Sequence, residues 1–334
     1  MKYIYDDLKD KNILITGGAG FIGSNIVHYL NRYHGESKIF IFDKFRDNTT
    51  FENGNLTSLG HFKNLLNFKG EVIVGDLANS NDLKKLDKYK FDYIFHEGAI
   101  SDTTCKNQEL IIKTNFESLD YFINKIKESE GVLIYASSAA TYGNSKAPNI
   151  VGSGESPENA YGFSKLLMDM KLREIIQNNE DENFKIISLR YFNVYGSREY
   201  FKGSTASMIL QLALQALRNK KVKLFEFGEQ IRDFVYIKDV VQANIKAIEV
   251  NKSGIYNVGS GVARSFNDIV DILKLHIGDF EVEYIKNPYS FYQNHTQADI
   301  SQTIKDLFYE PRYTLESGIK DYIDEIKRIY KDTK

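Results

Sequence analysis

Several scarcities in this chain each close off a class of function. It carries one cysteine, Cys105, in 334 residues, so no disulfide can form within it and a reducing compartment is expected. No stretch approaches the roughly 20 consecutive apolar residues that a membrane-spanning helix needs. Met1 to Lys11 is charged and lacks the apolar centre of a signal peptide, so a cytoplasmic protein with no membrane partner is expected. The formal net charge is only −2, which gives no electrostatic reason to expect a nucleic-acid partner. Repeats, low-complexity tracts and long linkers are also missing, and no metal-ligand cluster is read from the sequence.

What is there is an ordinary globular composition, 42% hydrophobic and 26% charged, long enough for one large or two modest domains. Short apolar runs at 12–16, 38–43, 71–76, 91–96, 131–136 and 184–189 read as strands, with helical patterns such as 20–32 and 110–129 between them. Continuous apolar strands alternating with helices predict an α/β fold, a Rossmann-like, doubly wound parallel sheet covered on both faces. After Arg190 the rhythm changes: a helix is expected over 205–219, short strands over 222–227 and 281–285, and an amphipathic helix over 315–331. The expected division is a dinucleotide-binding domain of residues 1–190, completed by about 235–262, and a smaller, mostly C-terminal α/β substrate lobe of 191–234 and 263–334.

The first strand runs directly into Gly17-Gly18-Ala19-Gly20-Phe21-Ile22-Gly23. Glycines at that place allow a tight turn and close approach of a pyrophosphate, and the helix that follows offers unpaired N–H groups at its N-terminus. Gly17, Gly20 and Gly23 are therefore the expected cofactor contacts. Asp43 ends the second strand, twenty residues after Gly23, where a carboxylate receives the adenosine ribose hydroxyls. Lys44 and Arg46 follow, and either could neutralise a 2′-phosphate, so NAD and NADP both remain open. Asp76, closing the third strand, is placed to reach the adenine amino group.

Tyr-x-x-x-Lys occurs at Tyr5/Lys9, Tyr121/Lys125, Tyr142/Lys146, Tyr161/Lys165 and Tyr330/Lys334. Context selects Tyr161/Lys165, which opens a helix and follows a strand ending in Ser137-Ser138. At this spacing both side chains share a helix face. The Lys165 ammonium can then stabilise a tyrosinate at Tyr161 while Ser138 orients a substrate hydroxyl or carbonyl.

Together with His96-Glu97-Gly98-Ala99-Ile100-Ser101, Arg190-Tyr191-Phe192-Asn193-Val194-Tyr195-Gly196, Lys202-Gly203-Ser204 and Arg232-Asp233-Phe234-Val235-Tyr236, these motifs resemble the extended short-chain dehydrogenase/reductase superfamily of nucleotide-sugar enzymes. Within it they are most similar to the ADP-L-glycero-D-manno-heptose 6-epimerase family. The resemblance covers nearly the whole chain from about Ile13. It implies epimerisation at C6 of ADP-D-glycero-D-manno-heptose, for the heptose of the lipopolysaccharide core, by transient oxidation with a tightly held NADP or NAD. It places two acid/bases at Tyr161 and Lys202, with Ser138 and Lys165 in support. Cofactor contacts fall at Phe21, Ile22, Asp43, Lys44, Glu97 to Ser101, Asn115, Lys165 and Val194. Substrate contacts fall at Asn193, Ser204, Gln211, Phe225, Glu226, Phe227, Gly228, Arg232 and Tyr292, with the Arg232 guanidinium as partner of the diphosphate. The family also implies a homo-oligomer, described as a pentamer.

Some positions depart from the family pattern. Thr50 stands where a lysine helps hold the cofactor, and Gln211 where a histidine is frequent. The alternative is a sister enzyme: a hexose 4-epimerase, a dehydratase or a reductase. The neutral Ala139-Ala140-Thr141 counts against a dehydratase, and a 4-epimerase manages with one tyrosine. A non-catalytic regulator would be expected to have lost Tyr161 or Lys165.

Overall fold

A computed structural model describes residues 2–4, 8–286 and 295–333. Its strands are β1 (Asn12–Thr16), β2 (Lys38–Asp43), β3 (Glu71–Val74), β4 (Tyr93–His96), β5 (Val132–Ser138), β6 (Lys185–Tyr191), β7 (Asn193–Tyr195), β8 (Lys221–Phe225), β9 (Ile231–Tyr236), β10 (Gly254–Val258), β11 (Ala263–Ser265) and β12 (Glu281–Ile285). The helices are α1 (Phe21–Tyr33), α2 (Ser80–Leu83), α3 (Gln108–Ile112), α4 (Ser118–Ser129), α5 (Ala160–Gln177), α6 (Met208–Asn219), α7 (Ile237–Lys246), α8 (Phe266–Ile277), α9 (Ser301–Leu307) and α10 (Leu315–Asp332).

Seven strands form one sheet in the order β10-β6-β5-β4-β1-β2-β3, and every adjacent pair is parallel. Alternation along the strands explains why these runs are apolar throughout. Ile13, Ile15, Ile39, Ile41 and Ile134 face one side, with α1 and α7. Leu14, Phe40, Phe42 and Leu133 face the other, with α4 and α5. Both faces are covered along the central strands, so apolar residues dominate at both alternate positions. The chain reverses its direction of sheet growth between β1 and β4, and the crevice at such a reversal is where α/β sheets bind ligands.

Residues beyond β6 build two smaller sheets, β11-β9-β7 and β12-β8, covered by α6, α8 and α10. Strand β10 and helix α7 return to the large sheet, β10 pairing with β6. Among the described residues no helix is long and apolar enough to cross a membrane.

Most elements lie where the sequence places them, and the differences have local causes. Strand β5 runs through Ser137 and Ser138, which pair with Arg190 and Tyr191 of β6. Helix α6 starts at Met208, not at 205: the Ser207 hydroxyl accepts the Leu210 N–H and caps it. Strand β8 stops at Phe225 because Glu226 and Phe227 adopt positive φ. The helix expected over 110–129 is interrupted by a wider turn at Lys113–Glu117.

Candidate active site

The glycine turn is built by contact as well as conformation. Gly17 has φ +64°, and a Cβ there would lie 2.7 Å from the Gly98 backbone. A Cβ on Gly23 would run into the Gly17 carbonyl. The turn therefore packs against the end of β4, and α1 begins after Gly20, its N-cap, with no side chain capping it. Its first N–H groups point out of the helix end with no intrahelical acceptor. This uncapped end, opening on a cavity, fits a dinucleotide pyrophosphate.

The cavity, about 490 Å³, lies at the carboxyl ends of the strands. At one end Asp43 is buried and accepts N–H bonds from Ala19 (2.9 Å) and Phe45 (2.7 Å). Burial pushes its carboxyl pKa up, against those two bonds. Lys44 pairs with Asp76 at 2.9 Å, and both line the cavity. Arg46 instead donates to the carbonyls of Leu59 and Phe201.

Residues Glu97 to Ser101 form the next stretch of wall. The Thr16 hydroxyl oxygen accepts the Gly98 N–H (3.0 Å) and bonds Nδ1 of buried His96 (2.8 Å). Burial lowers the His96 pKa to about 3. Glu97 is half-buried, accepts from the Tyr191 hydroxyl (2.9 Å) and is raised to about 7 by desolvation, with Tyr191 and Lys165 opposing. Asn115 is outside the wall. It receives the Ile100 N–H (2.8 Å), donates to the Ile100 carbonyl (3.0 Å) and donates to Ser164 on α5 (3.0 Å). Its role visible here is to fix the Ile100 backbone against α5.

Asn159 caps α5 by accepting the Gly162 N–H at 2.8 Å, and the first two turns carry Tyr161 and Lys165 into the cavity beside Ser138. The Lys165 ammonium lies 5.9 Å from the Tyr161 ring centre. Burial pushes the Tyr161 phenol up; a hydrogen bond from Ser138 lowers it and Glu97 raises it again. Burial brings Lys165 down to about 8, with Glu97 and Asp169 opposing.

Asp169 had no place in the sequence reading. Fully buried on α5, it accepts from Tyr135 (2.8 Å), Ser137 (3.0 Å), Ser188 (2.6 Å) and Arg190 (2.7 Å). It thereby pins the helix to β5 and β6. The available signal was its spacing, four residues beyond Lys165 on the same helix.

Lys202 reaches the same cavity from a short turn, Tyr200–Thr205. Its ammonium lies 5.6 Å from the Phe21 ring centre, and burial lowers its pKa while Glu199 opposes. Asn193 and Val194 also line the cavity. Ser204 donates to Asn55 (2.5 Å), and Gln211 is turned onto the carbonyls of Ser204 (3.1 Å) and Ala206 (2.7 Å). Residues 225–228 form a turn after β8 in which Phe227 is 66% exposed. Arg232 is buried on β9, donating to the Ile231 carbonyl (2.9 Å) and lying 5.8 Å from the Phe266 ring centre. Phe266 itself borders the cavity. Tyr292 lies outside the described residues.

Comparison with known proteins agrees with this geometry. The profile of the NAD dependent epimerase/dehydratase family matches residues 13–259. An ADP-L-glycero-D-manno-heptose-6-epimerase from Helicobacter pylori is 55% identical, with TM-score 0.90, covering 98% of this chain and 99% of that one. A UDP-N-acetylglucosamine 4-epimerase from Methanobrevibacter ruminantium is 27% identical, with TM-score 0.82 over 98% of this chain and 100% of that one. A UDP-glucose 4-epimerase from Thermotoga maritima is 26% identical, with TM-score 0.82 over 95% and 99% of the two chains.

Proposed function

The chain belongs to the NAD dependent epimerase/dehydratase family, and within it we propose that the reaction is inversion at C6 of ADP-D-glycero-D-manno-heptose to the L-glycero epimer. The likeness to the Helicobacter pylori enzyme supports the substrate. The chemistry is supported by one observation: Tyr161 of α5 and Lys202 of a separate turn border the same cavity. An inversion needs proton transfer at the same sugar oxygen on two approaches, before and after the 6-keto sugar reorients in the cavity.

The cofactor is NAD or NADP. The nicotinamide, when bound, supplies hydride acceptance and return at C6 and, oxidised, a positive charge near the Tyr161 phenol. The chain's own groups do the rest. Gly17, Gly20 and Gly23 with the start of α1 hold the pyrophosphate, Asp43 the adenosine ribose, and residues 97–101 with Val194 the nicotinamide end. The charged Lys165 favours the tyrosinate, and Ser138 holds the C6 oxygen by hydrogen bond. Tyr161 exchanges the C6 hydroxyl proton on one approach and Lys202 on the other. Asn193, Ser204, Gln211, residues 225–228, Arg232 and Tyr292 hold the nucleotide sugar, with Arg232 toward the diphosphate. Residues 191–234 and 263–334 act as the sugar-binding lobe of a cytoplasmic homo-oligomer.

The test is an NMR assay of the purified protein with ADP-D-glycero-D-manno-heptose and no added cofactor. Appearance of the L-glycero epimer is expected, and would also show that the cofactor is retained. Absence of conversion after NAD and NADP are both supplied would refute the heptose assignment.

A further inference from the structure

Between β2 and β3 the chain makes an excursion over residues 44–70, and its course ties two parts of the site together. Thr57, Ser58, Leu59 and Gly60 form the cavity wall near Asp43 and Asp76. The excursion is seated on the glycine turn: the Ala19 carbonyl accepts the His61 N–H (3.0 Å) and the Asn64 amide (3.1 Å). Its other side meets the turn that carries Lys202. The His61 ring lies flat on Phe201, with centroids 3.7 Å apart and 3° between planes. The Arg46 guanidinium donates to the Phe201 carbonyl and lies 5.5 Å from the Phe201 ring centre. Asn55 accepts from Ser204.

Phe201 and Ser204 flank Lys202 in sequence, so these contacts bracket it. Within the turn the Lys202 N–H donates to the Glu199 carbonyl (2.9 Å) and the Thr205 hydroxyl donates to the Lys202 carbonyl (2.9 Å), local bonds that the contacts from residues 46–61 supplement. Gly203 has φ +59°, and a Cβ there would meet nothing within 4 Å. On the inner side the Glu199 carboxylate accepts from the Gly196 N–H (3.2 Å), the Ser207 N–H (2.8 Å) and the Ser207 hydroxyl (2.8 Å). A lysine carries four rotatable side-chain bonds, and a proton-transfer group displaced by about 1 Å loses about 10²-fold in rate. The fastening of its backbone therefore decides where the ammonium can reach.

We propose that His61 and Arg46 are positioning residues for Lys202, clamping Phe201 from the ring face and from the carbonyl so that the ammonium is held over the cavity. The role rests on the reading of Lys202 as the second proton-transfer group. It also accounts for Arg46, which the sequence offers as a partner for a 2′-phosphate. One guanidinium nitrogen donates to two carbonyls of the chain.

A double-mutant cycle on the holoenzyme tests the clamp, using kcat and KM for C6 inversion and amide exchange over residues 199–205. His61→Ala is expected to lower kcat about tenfold with KM little changed, and to speed exchange in that segment. His61→Phe, which keeps a flat ring on Phe201, is expected to restore kcat to within about twofold. In a Lys202→Met background His61→Ala is expected to change kcat by less than about twofold, because residues acting through one group are not additive. If the two losses multiply, or His61→Ala keeps the wild-type kcat, the clamp is overturned. If Lys202→Met alone keeps the wild-type rate, the reading of Lys202 fails first, and the clamp with it. Should His61→Ala not fold, Phe201→Leu removes the same stack from the other side and is judged by the same outcomes.

Discussion

Tyr161 and Lys165 ride on an 18-residue helix, whereas Lys202 sits on a six-residue turn that contains a positive-φ glycine. The helix is aligned by repetition: an N-cap at Asn159, an apolar face of Met168, Leu172 and Ile175 in the core, and the Asp169 carboxylate locked between β5 and β6. The turn is aligned locally by Glu199, Ser207 and Thr205, and from a distant segment by His61, Arg46 and Asn55. The helix is thus fixed by its own ladder and by two strands of the core, whereas the turn has only a few local bonds and is completed by a separate stretch of chain.

The largest effect expected from breaking this contrast is on the helical side. Tyr161→Phe removes the phenol and should lower kcat by about 10²- to 10⁴-fold, with the thermal midpoint and retained dinucleotide unchanged. A variant that kept more than about a tenth of the rate would remove Tyr161 from the chemistry.

Stability separates the two carriers next. Asp169→Ala leaves buried Arg190, Tyr135, Ser137 and Ser188 without their shared acceptor. It should cost about 3–5 kcal/mol in denaturant unfolding. Ser204→Ala, on the exposed rim of the Lys202 turn, should stay within about 0.5 kcal/mol. Equal losses would mean that the turn is as integral to the core as the helix.

The smallest effect expected is on pH dependence. Lys165, at about 8 in the folded protein, loses its ammonium as pH rises through that value, and support for the tyrosinate goes with it. The kcat/KM profile should therefore fall above about pH 8. Glu97 favours the charged form of Lys165, so Glu97→Gln should move the alkaline limb to lower pH. An unmoved limb would separate Glu97 from the Lys165 titration.

The same contrast explains what could be read from the sequence. The strands β1 to β6, the glycine turn and the Tyr161/Lys165 pair depend on spacings of two, three or four residues, and such spacings are visible in a linear string. The placement of Lys202 in the cavity was reached by family resemblance, since nothing near it in sequence marks its environment. Asn115 was expected at the cofactor, yet it braces Ile100 and Ser164 from behind, a contact across 49 residues. Strands β7, β9 and β11, only three to six residues long, went unread. Their partners are assigned by tertiary packing and not by any alternation long enough to notice.

The knot at Asp169 also bears on descent. A carboxylate that completes four partnerships at once has no tolerable single-step neighbour in sequence space: replacing it strands donors on two strands, and replacing any one donor leaves the others in place to demand the carboxylate. Such a group is inherited as a block. Lineages that acquire a new sugar preference from this scaffold should therefore vary at the Lys202 turn and at residues 225–228, where each contact can be exchanged separately. Asp169 and its four donors should pass together from one substrate to the next.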